Sequence, residues 1–456
     1  MTERFTSLTI ESPDDLIFGR APYPVQITPE IMAGGGETLP ELNYTLPHGT
    51  EVSASKLDQV RNTYRQMATG ALQRAVELEI PRCVIEIELV FEMTLNPAWG
   101  EAIIRDTREV IEEYKTQGVH TALRATVADI RDRTRPPRNR SSEETALVLE
   151  SLERCAPYAD ILSIESTGGK EVSDEALLMC DIGGVIFALS RLGSNDMEFL
   201  WSRIVEIAKK HGKVAGGDAA CGFANTAMQL ARQRLVPKVL AAVVRAVGAA
   251  RSLVALECGA QGPDKDCAYE GPVLKAIAGI PIAMEGKSAA CAHSSHIGNV
   301  AMCCCDLWSN ESTPYAQLFG GFTPAVSLEE LWYDCKLMNE ALSKGHAQML
   351  RRLLADSDAR NSAEALVLTP ESVIRIARAI VSATDYAERA ANAAREAVAI
   401  IEDAVQSGAL KIAPREAPFL DKFNADLDHF SDLGDGMTDY YAAMYPGKFI
   451  PEEYGL

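Results

Sequence analysis

The sequence predicts an α/β protein built on a (β/α)8 TIM barrel, with an extended N-terminal arm and a C-terminal helical layer. Three observations carry this expectation. Short apolar runs alternate with amphipathic stretches from about residue 56 to residue 325. The runs are nearly continuous in apolar residues, as strands covered on both faces are. The first run is not followed by the glycine turn that opens a doubly wound nucleotide fold.

Residues 1–55 are rich in Pro and Gly, including Ala33-Gly34-Gly35-Gly36, and show little periodicity. They are read as an arm packed on the barrel. From 56 to 325 the expected strands are 83–90, 120–127, 160–166, 184–189, 213–221, 252–258 and 281–285. Helices are expected between them, over 97–117, 143–158, 196–211 and 225–249. Residues 326–456 form the helical region. A helix is expected over 326–355, and a longer one opens at Thr369-Pro370-Glu371, where Thr369 suits an N-cap and Pro370 the first helical position. Val373, Ile376, Ala377 and Ile380 then share one helical face. Ala387, Ala390, Ala391 and Ala394 make a narrow face that lets another helix approach closely, and Gly408 is the expected stop.

Composition narrows the function. The 456 residues hold 44 Lys or Arg against 64 Asp or Glu, a net charge of −20. That argues against nucleic-acid binding, which wants a basic face. The most apolar stretch, 239–256, is interrupted by Arg245 and Arg251, so a core helix and strand are expected there and no membrane span. The amino terminus lacks a basic start leading into an apolar run, and the 11 cysteines are too dilute for a disulfide scaffold. Reduced thiols and a cytoplasmic location are expected.

Barrel enzymes place their chemistry on the loops that follow the strands. Glu165, Cys221 and Cys267 fall there, each at or beyond a different strand end. Two thiolates and a carboxylate would leave the fourth tetrahedral position of a zinc ion open. A second candidate set is Cys291, His293 and His296, after the last expected strand. Spacing alone does not decide between them. Cys303, Cys304 and Cys305 lie in a segment, 297–308, read as helix; adjacent helical side chains fan apart by roughly 100° and cannot share one ion. The segment 279–288 ends like a phosphate loop, but its glycine spacing is too long and Pro281 intrudes. A basic run, Arg131, Arg133, Arg135, Arg138 and Arg140, should line the barrel rim and offers a dock for an acidic partner or a phosphate-bearing cofactor.

Three local sequences resemble the zinc-containing subunit of methanol:corrinoid methyltransferases. They are Leu162-Ser-Ile-Glu165-Ser-Thr-Gly-Gly-Lys-Glu171, Ala215-Gly-Gly-Asp218-Ala-Ala-Cys221-Gly-Phe-Ala-Asn-Thr-Ala-Met228, and Gly262-Pro-Asp-Lys-Asp-Cys267-Ala-Tyr-Glu270. The resemblance extends from Pro22-Tyr-Pro-Val to the terminal Glu453-Tyr-Gly-Leu456 and is weakest after about residue 340. It implies that Glu165, Cys221 and Cys267 bind zinc, and that methanol gives its methyl group to the Co(I) corrinoid of a separate protein. One-carbon metabolism, methanogenesis or acetogenesis, and a homodimer within a larger complex are implied too.

The corrinoid belongs to the partner, because this chain lacks an Asp-x-His-x-x-Gly signature; Asp428-His429 has neither spacing. Hydroxide is a poor leaving group, so a proton donor is needed near the metal, and Asp218, Glu88 and His293 are the pocket candidates. Two alternatives stay open: another O-methyl donor on the same zinc site, or a non-catalytic scaffold that binds the corrinoid protein.

Overall fold

The computed structural model describes residues 4–47, 49–265, 267, 269–313 and 317–456. A hairpin of β1 (Arg20–Thr28) and β2 (Ile31–Gly35) precedes the parallel strands β3 (Leu39–Tyr44), β4 (Arg82–Glu88), β5 (His120–Ala128), β6 (Ile161–Glu165), β7 (Val214–Asp218), β8 (Ala283–Glu285) and β9 (Leu307–Ser312). These last seven form one curled sheet in the order β7-β6-β5-β4-β3-β9-β8. The expected barrel is therefore present, with one irregularity in its wall.

The eighth place is taken by an irregular segment, residues 260–265. Gln261 donates its N–H to Ala215 O on β7 at 2.8 Å, and Asp264 Oδ1 accepts the N–H of Ala283 on β8 at 3.0 Å. Glycine makes this approach possible. A Cβ at Gly216 would sit 3.0 Å from Pro263 O, and one at Gly217, whose φ is +139°, 3.0 Å from Asp264 Cα. The closure carries the chain up to Cys267 at the mouth.

Helices cover the outside. Expected strands 184–189 and 252–258 are both helical. The first belongs to the helix Ile182–Phe187 and the π-helical turn Ala188–Ser194. A short apolar run beside Gly183 and Gly184 cannot be told from a buried helix by periodicity. The second is the end of a single helix, Lys238–Glu257, buried along its whole length from Val239. A helix apolar all round shows no amphipathic signal. It is long and apolar enough to cross a membrane, but here it is the core helix.

The sequence reading also missed β3 and β9, because their inward side chains are polar. Glu41 and Asn43 of β3 and Ser309 of β9 are buried in the interior with Glu86, Arg124, Thr126 and Ser163. Arg124 donates to Glu41 at 2.8 Å and to Ser163 Oγ at 3.1 Å. Segment 297–308, expected as helix, is a short 3-10 turn, Val300–Cys303, leading into β9. The three adjacent thiols there diverge, toward Arg351 O, Leu16 O and Met302 O.

The N-terminal 55 residues close the floor of the barrel. Ile31 and Ala33 of the hairpin pack with Leu39, Val84, Ala122, Ala283 and Leu307, near the starts of the strands. They also contribute a wall strand, β3, rather than an arm alone. At the other end of the chain, Thr369 caps Pro370–Val381 as expected, accepting the Ser372 N–H at 3.4 Å. The alanine face of Tyr386–Gln406 is buried, and this helix packs on Lys238–Glu257.

Candidate metal centre

Three segments bring the site together. β6 ends at Glu165. β7 ends at Asp218, and the helix Cys221–Arg232 starts three residues later. The segment 260–265 delivers Cys267. The Sγ atoms of Cys221 and Cys267 and a carboxylate oxygen of Glu165 all lie within 4.8 Å of one another. Cys267 Sγ donates to Glu165 Oε1 at 3.0 Å, and Asn225 Nδ2, one helical turn on, donates to Cys221 Sγ at 3.0 Å. Glu270 fixes the two thiol-bearing segments to each other, accepting the Ala220 N–H at 2.6 Å as well as the Ser252 hydroxyl.

The surroundings are strongly acidic. Burial first, then the neighbouring Cys221 thiol and Glu165, push the Cys267 thiol well above its ordinary range. For Cys221 the hydrogen bond with Cys267 pulls the other way. Burial and the Glu165 and Glu285 carboxylates outweigh it, and this thiol is also raised. Below them, Lys265 Nζ is buried among three carboxylates: Glu88 at 2.8 Å, Glu86 at 3.1 Å and Glu165 at 3.6 Å. One ammonium among three carboxylates leaves a negative interior, and buried charge of that kind is normally balanced by a partner or a metal. Two sulfurs and one oxygen converging from three segments suit a tetrahedral zinc ion, which makes thiols ionise on binding.

The other expected pocket residues lie elsewhere or do different work. Asp218 faces away from the thiols; its carboxylate accepts the Ser166 N–H at 3.2 Å and Trp201 Nε1–H at 2.9 Å, with Arg251 at 3.8 Å. It ties the sheet to the helices behind. Glu88 is at the mouth, where Oε1 accepts from both Lys265 and Asn43, the latter at 3.0 Å. His293 lines a cavity outside the trio, its ring pushed down to about 4 by burial and by Arg245 and Arg232. Among the described residues, Cys291, His293 and His296 do not converge on one point.

The basic run divides. Arg131 is fully buried in paired ion pairs with Asp129 and Asp196, each at 2.8 Å, and is no docking residue. Arg140 holds the C-terminus, donating to Tyr454 O at 3.0 Å and Asn195 O at 3.3 Å. Arg133, Arg135 and Arg138 are exposed, with Arg135 paired to Glu171 at 2.8 Å. Buried Asp129, two residues before Arg131, is what captures it. Sequence reading missed Lys265 and Glu86 altogether. The one signal for Lys265 was a lysine two residues before the candidate ligand Cys267, and flanking charges are too common for that to stand out.

A parallel barrel carrying two thiols and a carboxylate within reach of one another at its mouth defines a barrel protein with a candidate metal-binding site. The chain belongs to the family described as methanol-cobalamin methyltransferase B subunit, whose model matches residues 2–455. It is 39% identical over 463 residues to a methanol–corrinoid protein co-methyltransferase of Methanosarcina barkeri, covering 100% of this chain and 99% of that protein. It also matches a chain in the crystal structure of the methanol:cobalamin methyltransferase complex MtaBC from Methanosarcina barkeri, with a TM-score of 0.93, 38% identity and 100% of both chains covered.

Proposed function

We propose that this protein transfers the methyl group of methanol to the Co(I) corrinoid of a separate corrinoid protein, using zinc held by Glu165, Cys221 and Cys267. The observation that carries the reading is the convergence of those three ligand atoms within 4.8 Å at the barrel mouth. In the reaction the C–O bond breaks with its electron pair going to oxygen. The Co(I) centre supplies the pair for the new Co–C bond and ends as Co(III). The departing hydroxide takes up a proton and leaves as water. Zinc bound at the trio supplies the Lewis acidity that makes hydroxide a tolerable leaving group.

The chain's own residues shape that environment. Lys265 Nζ, buried and 3.6 Å from Glu165, offsets the carboxylates and fixes the orientation of the Glu165 side chain. It is the N–H-bearing cation nearest the site and takes the place of Asp218, Glu88 and His293 as the leading proton donor. Asn225 steadies Cys221. Exposed Arg133, Arg135 and Arg138 remain a docking surface for the corrinoid protein. A homodimer within a larger complex and a cytoplasmic location complete the proposal.

The test is spectral. Zinc-loaded protein, methanol and Co(I) corrinoid are mixed, and loss of the Co(I) band is followed together with growth of methyl-Co(III). Methanol-independent or zinc-independent methylation would overturn the reading, as would no methylation from a fully zinc-loaded protein.

A further inference from the structure

A concavity lined by five basic side chains lies outside the Glu165, Cys221 and Cys267 trio. It is a cavity of about 650 Å³, walled by the end of the helix Cys221–Arg232, by the loop at residues 293–296 and by the C-terminal helical layer. Arg232 lies 11 residues along that helix from Cys221, roughly 16 Å at the 1.5 Å rise of an α-helix. Arg232, Arg234, Lys238, Lys411 and Arg415 line the cavity. Among the described residues, none of these five makes an ion pair.

Among the described residues, two carboxylates line it, Glu364 and Glu416, and both are engaged. Glu364 accepts from Ser295 Oγ at 2.7 Å and lies 3.8 Å from Arg245; Glu416 accepts the Val239 N–H at 3.3 Å. A chain with a net charge of −20 has here gathered a surplus of positive charge in a concave site. The His293 ring is pushed down by burial first and then by Arg245 and Arg232, and its Nδ1 is buried without a hydrogen-bond partner among the described residues.

We infer that this cavity binds a phosphate-bearing small molecule. Its volume falls within the range of small-ligand sites, roughly 300–1,000 Å³. Three of the five cations are arginines, whose planar donors match phosphate oxygens in pairs. Ser294 and Asn361 add neutral donors to the lining. The concave form, walled from three sides, favours a small ligand over an acidic protein surface, which would need a broad flat patch. The inference does not depend on the zinc and methanol chemistry.

Calorimetric titration of the zinc-loaded full chain with ADP and with inorganic phosphate, in low-salt buffer, tests it. One ADP per chain is expected, with phosphate weaker. The double variant Arg232→Glu/Lys411→Glu changes exposed side chains, so its zinc content and its methanol-dependent methylation of free Co(I) corrinoid should stay within twofold. Its ADP affinity should fall tenfold or more. Absence of saturable ADP binding at millimolar concentration sinks the inference, as does binding that the double variant leaves intact. If ADP does not bind but the variant slows transfer to protein-borne corrinoid, the cavity is a docking surface and the small-molecule assignment fails. Failed methylation by both proteins would bear on the proposed reaction alone.

Discussion

Two buried lysines, one at each end of the barrel, are treated in opposite ways. At the floor, Lys275 Nζ donates to Ile17 O and Cys304 O at 2.8 Å and to both oxygens of Asp306 at 2.8 and 2.9 Å. Asp306 also accepts the Ile282 N–H at 2.9 Å. One charge meets one charge, and every donor has a partner. At the mouth, Lys265 is shared by Glu86, Glu88 and Glu165, with two thiols beside them. The floor cluster is closed, so it serves the fold. At the mouth, three carboxylates share one ammonium beside two thiols, an arrangement that would accept a cation.

The largest effect that tests this contrast comes from the thiols. Cys221→Ala and Cys267→Ala should each reduce zinc from about one equivalent per chain to a small fraction, because a site with three protein ligands cannot lose a thiolate and keep its ion. Methyl transfer from methanol should fall by more than the roughly 100-fold that losing a supporting residue causes. Metal analysis with the Co(I) assay checks both, and retention of full zinc and rate in either variant would remove that cysteine from the site.

The lysines themselves come next. Lys275→Met leaves Asp306 buried without its counter-charge and should destabilise the protein by roughly 3–5 kcal/mol. That loss should be the same before and after chelator treatment. Lys265→Met should behave differently: without metal its carboxylates repel, and with zinc they are offset. The stability gained on adding zinc should therefore be larger in Lys265→Met than in the unaltered protein. Denaturant unfolding with and without chelator measures all four differences. Equal zinc dependence in the two lysine variants would erase the distinction between floor and mouth.

The same contrast explains what the sequence disclosed. Strands β4 to β8 were legible from their outward apolar residues, such as Cys83, Ile85 and Ile87 on β4 and Leu123, Ala125 and Val127 on β5, although Glu86, Arg124, Thr126 and Ser163 point inward. β3 and β9 were not, since Glu41, Asn43 and Ser309 point into a polar interior that a pattern of apolar residues cannot reveal. The irregular 260–265 wall segment has no strand signature at all, yet it delivers Cys267. Composition and spacing left the trio one candidate set among two; family resemblance singled it out. The partners of each charge were invisible for another reason. Lys265 meets Glu86 and Glu165, and Arg131 meets Asp196, only after distant strands close the barrel.

The smallest effect concerns that basic run, where one stretch of ten residues holds both kinds of arginine. Arg131→Met should cost roughly 3–5 kcal/mol, since it strands Asp129 and Asp196 in the interior. Arg133→Glu with Arg138→Glu changes two exposed side chains and should leave stability within about 0.5 kcal/mol. If these two help attract the corrinoid protein, their reversal acts through long-range charge and leaves the buried packing intact. Transfer to protein-borne corrinoid should then slow a few-fold at low ionic strength, and the difference should fade as salt shortens the screening length to roughly 8 Å. Transfer to free corrinoid should not change. A rate defect that persists at high salt would mean these arginines touch the partner directly in the complex, and no defect at any salt would leave the run purely structural at Arg131 and Arg140 and solvated in between.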